Sequence, residues 1–194
     1  MKALKSLAIF VLAVSLTTTA FAGSEKVDTS KSSVKWLGKK VGGEHTGTIG
    51  IKEGNLEVSN GKVTGGKIVI DMKSIACTDL TDAEWNGKLV GHLKSDDFFG
   101  VATYPTAELV VNKVESKGNS HTFSGNLTIK GTTNPASFTA TSVKTGKTTT
   151  YTGTLTIDRS KYNVKYGSKS FFDNLGDKVI MDEFTLDFNL VVAE

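Results

Sequence analysis

The feature that most constrains this chain is an alternation of apolar and polar residues with a period of two, which recurs from residue 34 onward. The segment FTLDFNLVV at 184–192 is the clearest example, because Phe184, Leu186 and Phe188 alternate with Thr, Asp and Asn. Successive side chains of a β-strand point to opposite faces of the sheet. The pattern therefore predicts strands that each bury one face, and an all-β fold.

About eight or nine such segments follow one another, most of them separated by short turns such as SNGK at 59–62 and SKGNS at 116–120. One-faced alternation is typical of antiparallel pairing, because parallel strands buried on both sides read as continuous apolar runs. Closing such a sheet into a barrel removes its exposed edges. We therefore expect a closed antiparallel β-barrel.

Two stretches break the period of two. Residues 79–99 carry apolar residues at helical spacing, which predicts a short helix or two across an end or flank of the barrel. Residues 168–183 carry a pair of phenylalanines shortly before Gly176, which predicts one helical turn that ends at the glycine.

The first 22 residues have the pattern of a secretory signal peptide. Lys2 and Lys5 precede an apolar run that closes on Ala20-Phe21-Ala22, which offers small residues at a cleavage site. The run is shorter than the roughly 18 to 20 apolar residues that a membrane helix needs. We expect cleavage after Ala22, export of a soluble protein, and one mature domain at 23–194.

The distribution of charge gives no sign of a nucleic-acid-binding face. Without Lys2 and Lys5 the formal net charge falls from +3 to +1. The remaining lysines are scattered singly along polar faces and are not clustered with aromatic residues. We predict no nucleic-acid partner.

The segment GHLKSDDFFGVATYP at 91–105 is the first candidate for catalysis. His92 lies one helical turn from Asp96, and an ordinary surface hydrogen bond or ion pair explains that spacing. Asp96 and Asp97 are adjacent, so they point in different directions and cannot flank one bond. No Gly-x-Ser-x-Gly motif is present. We predict no catalytic residues, but a lipid-modifying enzyme that uses His92 with Asp96, or His45, stays open as an alternative.

Metal and cofactor motifs are absent from the sequence. The histidines at 45, 92 and 121 are isolated from one another, so a metal site would require convergence in space. Cys77 has no partner for an internal disulfide, and we expect a small, partly buried residue at a strand end. The segments KKVGGEH and KVTGGK lie between strands, so we interpret them as turns. Lys39 or Lys40 could still meet an anionic head group at a barrel mouth.

The barrel interior is the remaining candidate site. An eight-stranded barrel is about the size at which side chains either fill the lumen or leave room for one small ligand. The inward-facing residues are aliphatic and aromatic, so a cavity would take an apolar chain, whereas a filled lumen would indicate a structural or stress protein. The predicted lining residues are Trp36, Ile49, Ile68, Ile70, Met72, Phe98, Phe99, Leu109, Val111, Phe123, Leu127, Ile129, Phe138, Leu155, Phe171, Phe172, Phe184, Leu186 and Phe188.

Six segments of the chain carry a recognisable pattern, and together they span nearly all of the predicted mature sequence. They are VDTSKSSVKW at 27–36, EHTGTIGIKEGNL at 44–56, VIDMKSI at 69–75, HLKSDDFFGVATYPTAEL at 92–109, GNLTIKGTTNPASF at 125–138 and IDRSKYNVKYGS at 157–168. The most specific part runs from His92 to Pro105. In these segments the chain resembles the YceI-like family of exported lipid-binding proteins.

This resemblance implies an extended, lipocalin-like, eight-stranded antiparallel barrel in the periplasm. Its tunnel would hold a long apolar lipid, such as a polyisoprenoid or an isoprenoid quinone, and the protein would carry or sequester that lipid without catalysis. Phe98 and Phe99 would be apolar plugs against the tunnel, and Pro105 would lead into the next strand. Transient membrane contact and a homodimer both stay open.

Overall fold

The computed structural model describes residues 22–193, which form one antiparallel β-sheet closed into a barrel. The predicted signal peptide lies outside the described residues, apart from Ala22. The strands are β1 (Ala22–Val27), β2 (Ser33–Lys40), β3 (Gly43–Ser59), β4 (Lys62–Cys77), β5 (Thr106–Lys117), β6 (Ser120–Ile129), β7 (Thr132–Thr145), β8 (Thr148–Asp158) and β9 (Ile180–Ala193). One helix, α1 (Ala83–Lys94), and two 3₁₀ turns, Arg159–Tyr162 and Gly176–Lys178, complete the described range.

The barrel has eight strand positions because β1 and β2 share one of them. β2 pairs with the first half of β3 and with β9, whereas β1 pairs with the second half of β3 and with the last residues of β9. From β3 to β9 the strands pair in chain order, and the position shared by β1 and β2 closes the ring between β9 and β3. The predicted eight-stranded antiparallel barrel is confirmed.

The connections make the two ends of the barrel different. At one end, which we call the hairpin end, short turns join β3 to β4, β5 to β6 and β7 to β8. At the other, the helix end, the chain makes two long connections, one through α1 between β4 and β5 and one at 159–179 between β8 and β9. Among residues 22–193, the long connections that can cover the lumen therefore lie at the helix end.

Helix α1 falls inside the stretch where the sequence predicts it. The Asp82 carboxylate caps its N-terminus by accepting from the Trp85 N–H at 2.9 Å. Pro105 lies directly before β5, as expected, and its carbonyl accepts from the Met72 N–H. Within residues 22–193, no helix is long and apolar enough to cross a membrane.

The helical turn expected before Gly176 is placed differently. One turn closes where the Phe172 N–H donates to the Ser168 carbonyl, and it ends well before Gly176. The next 3₁₀ turn begins at Gly176. Asn174 has a φ of 59° and Gly176 a φ of 53°. These left-handed residues redirect the chain, so the segment is a loop over the helix end.

The loop at 159–179 is fastened to the barrel by Arg159, which is 2% exposed. Its Nη1 donates to the Val164 carbonyl at 2.8 Å, its Nη2 to the Ile180 carbonyl at 3.0 Å and its Nε to the Met181 carbonyl at 3.1 Å. Asp182 lies 3.4 Å from Nη2 and balances the charge. Hydrogen bonds to a charged group are the stronger kind, so this side chain sets where the loop meets β9.

Gly125 of β6 permits a close approach between β5 and β6. A Cβ added at Gly125 would overlap the Val110 carbonyl oxygen, which is backbone and cannot rotate away. We expect Gly125→Ala to lower the free energy of unfolding by about 1–3 kcal/mol, measured by urea denaturation, because overpacking forces the backbone to shift.

Gly38→Ala is the matched control. Gly38 also lies in a strand, but nothing is within 4 Å of an added Cβ there. Equal stability losses in the two variants would contradict the close-approach explanation.

Candidate ligand-binding cavity

The helix-end half of the barrel encloses a cavity of about 310 Å³. Its walls are the inward faces of β2, β3, β4, β5, β6, β8 and β9. Its roof is α1 with the turn that follows it, which contributes Leu89, Leu93, Phe98 and Phe99. The lining is almost entirely apolar, so the cavity suits an apolar ligand.

The cavity reaches the protein surface at the β2–β3 hairpin. Lys39, Lys40 and Met181 are exposed residues that also line it, and His45 lies with them. We call these four residues the mouth. Lys39 and Lys40 therefore lie at the opening of the cavity, where the sequence suggests that a lysine could meet an anionic head group.

Many of the predicted lining residues meet at this cavity. All of them lie on strand faces that the period of two directs inward, except the phenylalanine pair after α1. They are Trp36, Ile49, Ile70, Met72, Phe98, Phe99, Leu127, Ile129, Phe184 and Leu186.

A second group of predicted lining residues is inside the barrel but outside the cavity. They pack in the two core clusters of the barrel and are Ile68, Leu109, Val111, Phe123, Phe138, Leu155 and Phe188. Phe123 and Phe138 stack with ring centroids 5.3 Å apart, Tyr151 lies 5.8 Å from Phe123, and Phe188 lies 5.5 Å from Phe138. We call these four rings the aromatic block. They close the hairpin end, so the cavity occupies only half of the predicted tunnel.

The predicted lining role is wrong for Phe171 and Phe172. These side chains are 40% and 48% exposed, on the loop at 159–179. Lys165 Nζ lies 5.1 Å from the Phe171 ring centroid. No strand alternation directs side chains inward in a loop, which is why an apolar pair there does not indicate the lumen.

Some lining residues were absent from the prediction. Ile75 is three residues after Met72 and so falls out of alternation, because the β3–β4 register shifts between Thr48 and Gly50. A bulge of this kind leaves no clear sequence signal. Leu89 and Leu93 enter from α1, whose placement over the lumen no local pattern encodes. Ile157 lies on the same alternating face as Leu155, so the period of two directs it inward as well, although it was not among the predicted lining residues.

His92 lies in the roof of the cavity and not against Asp96. Its ring makes edge contacts with Tyr166, at 4.4 Å between centroids, and with Phe98, at 5.7 Å. Its Nε2 is buried and has no hydrogen-bond partner among residues 22–193. The expected pairing with Asp96 is therefore wrong. The roof presents one unsatisfied polar atom in an apolar environment.

A second polar cluster lies at the strand ends beside the mouth. His45 Nδ1 is 2.8 Å from Asp79 Oδ2, while the Cys77 thiol donates to Asp79 Oδ1 at 3.1 Å and the Thr46 N–H to the same oxygen at 3.0 Å. Partial burial opposes the charged form of Asp79, but the hydrogen bonds outweigh it and lower its pKa to about 2. Residues isolated in the sequence thus converge here. Cys77 is buried at the end of β4, as expected.

The Cys77 thiol is not arranged as a nucleophile. Burial, and its hydrogen bond to the Asp79 carboxylate, raise the pKa of the thiol. A thiolate nucleophile needs the opposite shift and a base that accepts its proton.

Comparison with known families agrees with this geometry, because residues 26–192 match the model of the YceI-like domain. The chain belongs to the YceI-like family. Curated relatives, both called UPF0312 protein, include one from Shewanella denitrificans, 31% identical over 49% of this chain and 48% of the relative. Another, from Pseudomonas putida, is 33% identical over 52% of this chain and 50% of the relative. The aligned regions thus span about half the length of these relatives.

Solved structures give the same fold. BcnA of Burkholderia cenocepacia is 28% identical, with a TM-score of 0.64 over 85% of this chain and 98% of its own. A domain of Saccharophagus degradans described as polyisoprenoid-binding is 17% identical, with a TM-score of 0.64 over 87% of this chain and 97% of its own. At 17% identity the second likeness shows the fold alone. The lipocalin-type barrel of the YceI-like family is therefore the architecture of this chain.

The unsatisfied nitrogen of His92 predicts an unusual mutational result. An unpaired buried polar atom costs about 1–3 kcal/mol. Replacing His92 with Phe removes that atom, and the adjacent cavity gives the larger ring room. We expect His92→Phe to raise the free energy of unfolding of ligand-free protein by about 1 kcal/mol, measured by urea denaturation.

His121→Phe is the control. The ring nitrogens of His121 each lie 2.8 Å from a serine hydroxyl, those of Ser116 and Ser142, so its replacement should lower the free energy of unfolding. The interpretation fails if His92→Phe destabilises the protein as much as His121→Phe does.

Proposed function

We propose that this protein is a non-enzymatic carrier or sequestering protein for a long apolar lipid of the polyisoprenoid or isoprenoid-quinone class. One observation carries the proposal: an apolar cavity remains unfilled between Met72, Leu127 and Leu186 inside a closed barrel. Membership of the YceI-like family supports it. So does the likeness in fold to a domain described as polyisoprenoid-binding.

The size of the cavity limits what it can hold. At about 30 Å³ per water-sized group, it accommodates about ten carbon-sized groups, or about two isoprene units. Their transfer from water would contribute about 8 kcal/mol at 0.8 kcal/mol per methylene. A longer chain must extend through the mouth or displace the aromatic block. Because a bilayer is equally apolar, exchange between membrane and barrel is nearly balanced, which suits a carrier.

The roof favours a lipid with one hydrogen-bonding group. His92 lines the cavity, and its buried Nε2 has no hydrogen-bond partner in the part of the chain that the structure describes. A hydroxyl or carbonyl oxygen of a ligand at the roof would satisfy it and remove the cost of the unmade hydrogen bond. A prenol or a quinone has such an oxygen, whereas a pure hydrocarbon does not.

Binding accounts for the site better than catalysis does. An acid–base mechanism needs a second titratable group within hydrogen-bond reach of the first. Among residues 22–193, the contacts recorded for the His92 ring are with the aromatic rings of Phe98 and Tyr166. His45 does have a titratable partner in Asp79, but that pair lies at the mouth, away from the apolar walls that would hold the lipid chain. Turnover of an isoprenoid ester by purified protein would favour the enzyme instead.

Export to the periplasm is part of the proposal. The apolar run before Ala20-Phe21-Ala22 supports it. Cleavage after Ala22 would leave Gly23–Val27 of β1, with their pairs in β3 and β9, in place. The mature barrel therefore keeps all eight strand positions.

Filling the cavity tests the proposed function. Leu186→Trp places a large apolar ring in the cavity without a buried charge, so the protein should fold but exclude ligand. We expect the apolar lipid recovered by organic extraction of natively purified protein, quantified by mass spectrometry, to fall at least about tenfold, the ratio that 1.4 kcal/mol of lost affinity gives.

Glu183→Trp is the matched control, since Glu183 is exposed on the opposite face of the same strand. It should keep the wild-type lipid content. Wild-type protein without stoichiometric apolar lipid, or equal content in both variants, would refute a carrier function.

We further propose that the loop at 159–179 contacts the membrane during exchange. Its exposed Tyr166, Phe171 and Phe172 lie among lysines, and the loop leads into Ile180 and Met181 of β9, which line the cavity. Exposed aromatic rings among basic residues are typical of an interfacial surface. The mouth would then face the bilayer from which the lipid comes.

Replacing both Phe171 and Phe172 with Ser tests this contact. We expect the rate of isoprenoid transfer from anionic vesicles, followed with a fluorescent prenol, to fall about tenfold while the final bound fraction stays unchanged. Val143→Ser, at a side chain 63% exposed at the hairpin end, is the control and should transfer at the wild-type rate. An unchanged rate in the double variant would exclude the loop as the contact.

A further inference from the structure

The cluster beside the mouth contains the donor atoms of a metal site. His45 Nδ1, Cys77 Sγ and a carboxylate oxygen of Asp79 all lie within 4.8 Å of one another. The side chains of His45 and Asp79 are 28% and 31% exposed, so a cation has a route to the buried sulfur. Nitrogen, thiolate sulfur and carboxylate oxygen together suit zinc-type ions, whereas calcium and magnesium prefer oxygen alone.

Strand pairing explains why three separated residues meet. Gly47 of β3 pairs with Cys77 of β4, and the pairing continues where the Thr78 N–H donates to the Thr46 carbonyl. His45 is two residues from Gly47, and Asp79 is two residues from Cys77. The antiparallel register therefore brings these side chains together at the barrel rim.

The distances are close to those of a coordinated ion. Zinc bonds of about 2.0 Å to nitrogen or oxygen and about 2.3 Å to sulfur place tetrahedral ligands about 3.3–3.6 Å apart. The His45–Asp79 and Cys77–Asp79 distances are 2.8 and 3.1 Å. Each of these two pairs, which use different oxygens of Asp79, would need to widen by about 0.5 Å to match two ligands on one ion. The Thr46 N–H already orients the Asp79 carboxylate, as outer hydrogen bonds do in metal sites.

We propose that His45, Cys77 and Asp79 bind one divalent cation of the zinc type at the cavity mouth. Binding replaces the thiol proton of Cys77, which leaves to solvent. Three protein ligands leave a coordination position open for water or for another oxygen donor. This site does not depend on the lipid-binding function, because none of its ligands needs an occupied cavity.

Metal titration of chelator-treated protein without an affinity tag tests the site. We expect one equivalent of Zn²⁺ to bind in calorimetry, and Co²⁺ to give a thiolate-to-cobalt charge-transfer band in the near ultraviolet. Cys77→Ser should abolish the band and weaken Zn²⁺ binding at least about tenfold. His121→Gln changes a histidine whose bonds are to Ser116 and Ser142, so its titration should match wild type.

Retention of wild-type affinity and of the cobalt band by Cys77→Ser, or no stoichiometric binding by wild type, would overturn the proposal. X-ray absorption of the zinc-loaded wild type tests the ligands without any substitution. We expect one sulfur at about 2.3 Å with nitrogen and oxygen at about 2.0 Å. A coordination shell of nitrogen and oxygen alone would show that the Cys77 sulfur does not bind the ion, which would contradict the proposal.

Discussion

Closure of the sheet is the constraint on which the rest of this structure depends. Once the position shared by β1 and β2 joins β9 to β3, the ring of eight strand positions is complete, the backbone fixes the bore, and every strand must direct one face into it. Only side-chain volume then decides whether the lumen is solid or hollow. This chain does both, with an aromatic block at the hairpin end and an open cavity at the helix end.

The asymmetry of the ends explains where chemistry concentrates. At the hairpin end the connections within residues 22–193 are tight turns, and large rings such as Phe123 and Phe138 fill the lumen from within. At the helix end, α1 and the loop fastened by Arg159 form a roof from outside, which leaves the space beneath unfilled. The roof supplies His92, and the adjacent strand ends supply His45, Cys77 and Asp79. Polar groups therefore meet the apolar cavity only at this end.

The period of two was sufficient to predict the barrel and much of the cavity wall, because alternation fixes the direction of each strand side chain. It could not say that Leu127 lines a space while Phe123, four residues earlier in the same strand, fills one. Nor could it place Ile75, which a bulge in β4 shifts out of phase. The roof depends on how α1 packs over the lumen, and the cluster at His45 depends on register between distant residues. Both are tertiary properties without a local signal.

A crystal structure of the protein purified under native conditions, without added lipid, tests the central claim most directly. We expect continuous tubular density between Met72, Leu127 and Leu186, ending at the aromatic block, with a polar atom within hydrogen-bond distance of His92 Nε2. Collapse of those side chains into a solid core, with no density for a guest, would contradict it.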